Sequence, residues 1–104
     1  MNTVISNEIL QQFKERMHLG DEEDDNLKRI LSTSNKALRR VCGNYDLNKD
    51  EEFKELVFER SRYVYNDALE YFDKNFLSQM NSLGIDKALD EIKWDGDSYA
   101  SFSV

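Results

Sequence analysis

The sequence of 104 residues contains no proline and only four glycines, at Gly20, Gly43, Gly84 and Gly96. Proline breaks helix interiors and glycine destabilises them by about 1 kcal/mol relative to alanine, so long helices meet few internal obstacles in this chain. The length fits one domain with a single modest core. The predicted fold class is therefore all-α, a small helical bundle.

The sequence is also poor in residues that perform chemistry. Cys42 is the only cysteine and His18 the only histidine, which excludes an internal disulfide framework and any metal site that needs several such ligands. No glycine-rich phosphate loop is present. The acidic run at 21–25 lacks the alternate ligand spacing and the central glycine of a calcium loop. The segment 46–52 has oxygen ligands at alternate positions but contains a lysine and no glycine. We therefore expect no cofactor, no metal and no enzymatic activity.

Long apolar runs are missing as well. No run approaches the ~20 residues that a membrane-spanning helix needs, and the first residues lack the pattern of a signal peptide. The sequence therefore predicts no membrane contact and a protein that is made in a cytoplasm. The formal net charge is −7, which argues against nonspecific binding to nucleic acid, because such binding depends on clustered cations.

The charges are unevenly distributed along the chain. The acidic run at 21–25 is followed by a basic segment with five cations and no acid: Lys28, Arg29, Lys36, Arg39 and Arg40. Acids at the start of a helix and cations at its end interact favourably with the helix dipole, so a solvated helix surface explains much of this pattern. The alternative is that the five cations dock to an oppositely charged protein.

Hydrophobic periodicity and capping signals predict three helices. The first covers about residues 7–18 and ends near Gly20, which suits a left-handed C-terminal cap. The second covers about residues 22–41. The third covers about residues 50–80 and is the longest element of the fold.

The sequence after Gly84 gives weaker signals. It favours a short helix over 85–92 with four residues on one side: Ile85, Ala88, Leu89 and Ile92. Residues 1–92 are thus predicted to form a single helical domain. Residues 93–104, rich in Asp, Gly and Ser, are predicted to form a flexible tail.

The predicted third helix has apolar residues on two faces. At about 100° per residue, one stripe consists of Phe53, Val57, Val64, Ala68 and Tyr71. A second stripe, centred more than about 100° away, consists of Phe58, Tyr65, Leu69, Phe72 and Phe76. A surface helix of a small domain needs only one such face. Either the helix is central and covered on both sides, or the first stripe faces the core and the second is a subunit interface, where aromatic residues are enriched. We predict the second arrangement.

The third helix also resembles a known family. Residues 56–72 read LVFERSRYVYNDALEYF and residues 75–83 read NFLSQMNSL. The run Arg62–Asn66, the apolar residues that follow it and the order of the helices resemble the head–tail connector (adaptor or head-completion) proteins of long-tailed phages that infect Gram-positive bacteria. The resemblance covers about residues 9–92 and consists of helix-packing positions.

The resemblance implies a structural virion protein. Members of this family pack side by side through their long helices, and about twelve copies form a ring beneath the portal of the filled capsid. The ring extends the DNA channel and provides the docking surface for the stopper or tail-completion protein. For this chain the resemblance implies assembly in the host cytoplasm, a final place at the virion head–tail interface, and three partners: other copies, the portal and the stopper.

In that setting the basic segment of residues 28–40 is expected to meet an acidic portal surface, and the acidic balance lets DNA pass without binding. We expect a monomer when the protein is free and a ring on the portal. The alternative function is a small acidic regulator, such as a DNA mimic that binds a host factor. That function needs carboxylates spaced like phosphates, but the acids of the third helix, Glu52, Glu55, Glu59, Glu70 and Asp73, are interrupted by Lys54, Arg60, Arg62 and Lys74.

Overall fold

The computed structural model describes residues 5–92 and confirms the all-α fold class. Within this range the chain forms four α-helices, Asn7–Met17 (α1), Asp24–Cys42 (α2), Glu51–Tyr65 (α3) and Phe72–Glu91 (α4), with a turn of 3-10 helix at Leu69–Tyr71. The predicted flexible tail, residues 93–104, lies outside the described residues. None of the helices in the described range is long and apolar enough to cross a membrane.

Helix α1 begins and ends with local caps. The Ser6 hydroxyl accepts a hydrogen bond from the Ile9 N–H at 3.1 Å, which satisfies one of the free donors of the first turn. At the other end His18, with φ at 59°, adopts the left-handed conformation that the sequence analysis assigned to Gly20. The left-handed cap therefore comes two residues earlier than expected.

The turn between α1 and α2 is closed by the buried side chain of Lys14. Its ammonium group lies 2.5 Å from an Asp21 carboxylate oxygen and 2.9 Å from one of Asp24. The hydrogen bond and charge of Lys14 lower the pKa of Asp21, and the same contacts raise the pKa of Lys14. Two acids of the run at 21–25 thus join α2 to α1, in addition to their favourable position near the start of a helix.

The single helix predicted over about residues 50–80 is wrong. Helix α3 ends at Tyr65, and Asp67 adopts a left-handed φ of 56°. The Ala68 N–H then donates to the Tyr63 carbonyl at 2.8 Å, which caps the helix end. Asn and Asp adopt the left-handed conformation more readily than other non-glycine residues, so the chain breaks here without glycine or proline.

After the break α4 folds back along α3. The Asn75 amide donates to the Tyr63 hydroxyl at 3.0 Å, and the rings of Phe72 and Phe76 meet the Tyr63 ring edge-on. Helices α2, α3 and α4 pack pairwise against one another, whereas α1 packs on α2 and meets α3 through the rings of Phe13 and Phe58, 5.6 Å apart. The most deeply buried apolar residues come from all four helices: Phe13, Leu27, Leu31, Leu38, Cys42, Phe53, Val57 and Phe72.

The end of α2 fixes the position of α4. Gly43 has a φ of 108°, and a Cβ built on it would lie 2.5 Å from the Lys87 side chain. Only glycine fits this conformation and this close approach. The Tyr45 hydroxyl then donates to the Leu83 carbonyl at 2.7 Å. These contacts hold the second half of α4 against the loop that follows α2.

Candidate assembly surface

The five residues predicted to form a subunit interface do not share one surface. Phe58 is 2% exposed and Phe72 is 0% exposed, so both are core residues. Tyr65 and Phe76 are partly buried against that core, and only Leu69 is exposed. The prediction that Phe58 and Phe72 contact a neighbouring subunit is wrong, because their side chains are buried inside the subunit itself.

Tyr65 has an intramolecular partner. Its hydroxyl donates to a Glu23 carboxylate oxygen at 2.6 Å, and this hydrogen bond raises the pKa of Tyr65. The contact lies beside an open polar groove of about 670 Å³ between α2 and α3. The Tyr65 side chain therefore links α3 to the start of α2.

The break after α3 explains the wrong assignments from residue 68 onward, whereas Phe58 precedes the break and is buried because Phe13 of α1 covers it, with ring centroids 5.6 Å apart. A period of about 100° per residue holds only while one helix continues. Beyond Asp67 the helical phase restarts, so Tyr71, assigned to the core stripe, is exposed, whereas Phe72 is buried. Phe53 and Val57, which precede the break, are buried as predicted.

Helix α4 has apolar residues on two faces, but these faces are not the two stripes that the sequence predicted for a single long helix. Its core face contains Phe72, Phe76, Met80 and Leu83. About 170° away, at about 100° per residue, lie four exposed residues that we call the outer stripe: Leu77, Ile85, Leu89 and Ile92. Ile85 is 61% exposed and Leu77 is 54% exposed. Both faces of α4 are therefore apolar, and only one is covered within residues 5–92.

The outer stripe continues onto α2 through Val41, which is 59% exposed. A shallow groove of about 370 Å³ separates the two helices, and we call it the α2/α4 groove. A Cβ added to Gly84 would lie 3.4 Å from the Val41 carbonyl oxygen, which shows how closely the two backbones approach. The groove is lined by Val41, Met80, Asn81, Gly84, Ile85 and Ala88.

A second groove, the α3/α4 groove, lies on the other side of α4. It is an open space of about 310 Å³ with an apolar floor formed by Leu56, Phe76 and Leu83. Its rim contains Gln79 and three acids, Glu52, Glu55 and Glu59. An apolar floor with an acidic rim suits an apolar side chain flanked by cations.

The three acids of this rim differ in whether they form salt bridges within the chain. Glu55 pairs with Arg16 at 2.6 Å, and Glu59 pairs with Arg62 at 2.7 Å. Glu52 forms no salt bridge with any described residue. The free negative charge of the rim is therefore concentrated at its Glu52 end.

The same end of the molecule has two further unpaired acids, Asp86 and Asp90. Burial raises the pKa of Tyr45, whose ring stacks on that of Phe53, and the negative charges of Asp86 and Asp90 raise this pKa further. The Lys87 ammonium lies over the Tyr45 ring, 4.4 Å from its centre. Within residues 5–92 neither aspartate forms a salt bridge.

The five cations predicted to dock to the portal all lie on α2. Arg29, Lys36 and Arg40 are exposed, and Lys28 and Arg39 are half-buried. None of the five forms a salt bridge with a described carboxylate. We call the three exposed cations the basic ridge. That it meets an oppositely charged protein stays a prediction.

The described side chains assemble no recognisable reactive centre. No group of three or more His, Cys, Asp or Glu residues in the described range is placed to hold a metal ion. Cys42 is buried, and burial raises the pKa of its thiol, which disfavours the reactive thiolate. The most distinctive surface features of residues 5–92 are therefore two grooves and an apolar stripe, which are suited to binding another protein.

Comparison with protein-family models, with curated proteins and with solved structures gave no significant match. Function is therefore inferred from the surface of the chain itself and from the resemblance of its third predicted helix.

Proposed function

We propose that this chain is a structural subunit of a phage head–tail connector, which forms a ring beneath the portal and provides the docking surface for the stopper or tail-completion protein. The observation that supports this most directly is the outer stripe of α4. Three residues of this stripe, Ile85, Leu89 and Ile92, follow one another at helical spacing, and a group of exposed apolar residues on a domain surface marks a site of contact with another protein. A connector subunit needs such sites for its neighbours, the portal and the stopper.

The geometry of the bundle suits side-by-side packing. Helices α2, α3 and α4 contact one another pairwise, so each presents one outward face. The outward face of α2 is basic, and that of α4 is apolar. In a ring, two of a subunit's faces contact its neighbours, while other surfaces are left for the portal, the stopper or the channel.

The acidic regulator is less well supported. A DNA mimic presents an uninterrupted row of carboxylates, but Glu55 and Glu59 are neutralised by Arg16 and Arg62. The outer stripe of α4 also has no role in imitating a phosphate backbone. The connector uses both features, because paired acids rigidify α3 and the apolar stripe becomes buried on assembly.

The proposed mechanism is binding without a reaction. A single contact between small apolar surfaces is weak, so the free protein stays monomeric. A portal that presents a ring of equivalent sites raises the effective concentration of neighbouring subunits and allows many weak contacts to form together. The net charge of −7 then leaves the channel wall with little affinity for DNA phosphates.

This proposal is tested by mixing the protein with a candidate portal protein. Sedimentation should show the chain bound to the portal, and electron microscopy of the mixture should show a ring of additional density under the portal. A chain that stays monomeric and unbound at every concentration tested would overturn the proposed function.

A further inference from the structure

We propose that two different faces of the chain bind each other between copies: the edge formed by Arg40, Val41 and Ile85, with Lys36 beside it, docks into the α3/α4 groove of the next copy. This inference rests on the proposed function, because it specifies how the ring closes. It names a second copy of this chain as the occupant of the groove, and it reassigns two of the cations that were predicted to meet the portal, Lys36 and Arg40.

The apolar parts of the two faces match. Val41 and Ile85 are 59% and 61% exposed and lie on either side of the α2/α4 groove, where they form a raised apolar edge. The α3/α4 groove offers a recessed apolar floor of Leu56, Phe76 and Leu83. An edge that inserts into a groove buries apolar surface on both partners, which drives association.

The charges beside these apolar parts are complementary. Arg40 borders the edge on α2, because it directly precedes Val41. Lys36 lies four residues before Arg40, about 6 Å away along the helix and further around it from Val41. On α4, Asp86 and Asp90 follow the groove residue Leu83 by three and seven residues, so helical spacing places them on the face of α4 that lines the groove, one and two turns beyond it. They have the same four-residue spacing as the two cations. In the described range none of these four groups has a salt-bridge partner within its own chain.

The two faces lie on different sides of the same helix. Residues of α4 that line the α3/α4 groove are centred about 140° from those that line the α2/α4 groove, at about 100° per residue. Because the two contacting surfaces lie on different parts of the chain, the contact between copies is heterologous. Each copy can then bind a neighbour on either side, so the contact repeats from copy to copy. Such a contact closes into a ring when the rotation between copies is suitable, as the proposed connector requires.

Disulfide trapping tests this contact and also captures weak association. One chain has Arg40→Cys, a second has Asp86→Cys, and equal amounts are mixed at low ionic strength under mild oxidation. The native Cys42 is 1% exposed and does not compete. The mixed disulfide should exceed the yield that random pairing gives. A matched mixture of Arg40→Cys with Gln11→Cys, an exposed position on α1, should give only the random yield.

Charge reversal then tests the complementarity. Adding Lys36→Glu to the first chain should lower the mixed-disulfide yield by up to about tenfold, and adding Asp90→Lys to the second chain should restore it, because the pair then attracts again. Circular dichroism confirms that each chain is folded. Mixed disulfides no more abundant than in the control mixture, or an unchanged yield on charge reversal, would overturn the interface.

The outcome is separable from that of the portal experiment. Failure to trap this pair, with ring formation on the portal intact, would overturn the proposed interface and leave the connector function standing. Successful trapping without portal binding would support the interface and overturn the connector function. If Lys36→Glu abolishes portal binding and leaves trapping unchanged, Lys36 contacts the portal, and its assignment to a neighbouring copy is overturned.

Discussion

Phe72→Ala should unfold the chain more readily, whereas Ile85→Ser should not. Phe72 is fully buried, its ring stacks on Phe76 with centroids 4.9 Å apart, and it meets Tyr63 edge-on at 5.7 Å. Truncating such a residue costs about 3–5 kcal/mol, the sum of lost transfer energy and the cavity left behind. Ile85 is 61% exposed, and substitutions at such sites change stability by about 0.5 kcal/mol or less.

Urea unfolding followed by circular dichroism measures this difference. A domain of this size has a total stability of about 5–15 kcal/mol, so Phe72→Ala removes a large part of it. With a urea m-value of about 1–3 kcal/mol/M, the midpoint should fall by about 2 M for Phe72→Ala and by a few tenths for Ile85→Ser. If Phe72→Ala keeps the wild-type midpoint and instead abolishes assembly, Phe72 is an interface residue and the core described above is wrong.

Three further predictions concern the turns. Because the pKa of Asp21 is lowered, its contact with Lys14 stabilises the fold fully above pH 3.8, the ordinary carboxyl pKa, and this stabilisation is lost as pH falls through the pKa of Asp21 in the folded protein. The urea midpoints of wild type and Lys14→Met should therefore converge in acid and differ at neutral pH. Asp67→Gly should raise the melting temperature, because it relieves a left-handed φ that costs about 1 kcal/mol; a lower melting temperature would contradict this. Gly43→Ala should lower the melting temperature, because its φ of 108° is strained for alanine and its Cβ would meet Lys87; an unchanged value would show that α4 can shift.

The sequence was sufficient to predict the helical class because that class depends on composition and periodicity. It also predicted α1 and α2 to within about two residues, because each has a single apolar face and a glycine shortly after its last turn. Near Ile85 it identified the correct apolar side of a helix. That this side is exposed could not be known, since periodicity shows which residues share a face and does not show what covers it.

The break between α3 and α4 was missed for a physical reason. Neither glycine nor proline occurs between residues 44 and 83, and an apolar pattern in phase with one long helix continued by coincidence across residues 66–68. The signal that was present is the pair Asn66–Asp67, since these residue types accept a left-handed turn. Tertiary packing decides the outcome, because a folded-back α4 buries Phe72 and Phe76 against Tyr63.

The central claim is that the outer stripe of α4 serves assembly and not the fold. The most direct test measures how much protein sediments with the portal. The test variant combines Ile85→Ser with Leu89→Ser, and the control variant combines Gln11→Ser with Glu15→Ser, two exposed positions on α1 with the same four-residue spacing. We predict that both variants keep the wild-type helical signal, that the α1 variant binds normally, and that binding of the α4 variant falls at least about tenfold, which corresponds to about 1.4 kcal/mol. Normal binding by the α4 variant would contradict the claim.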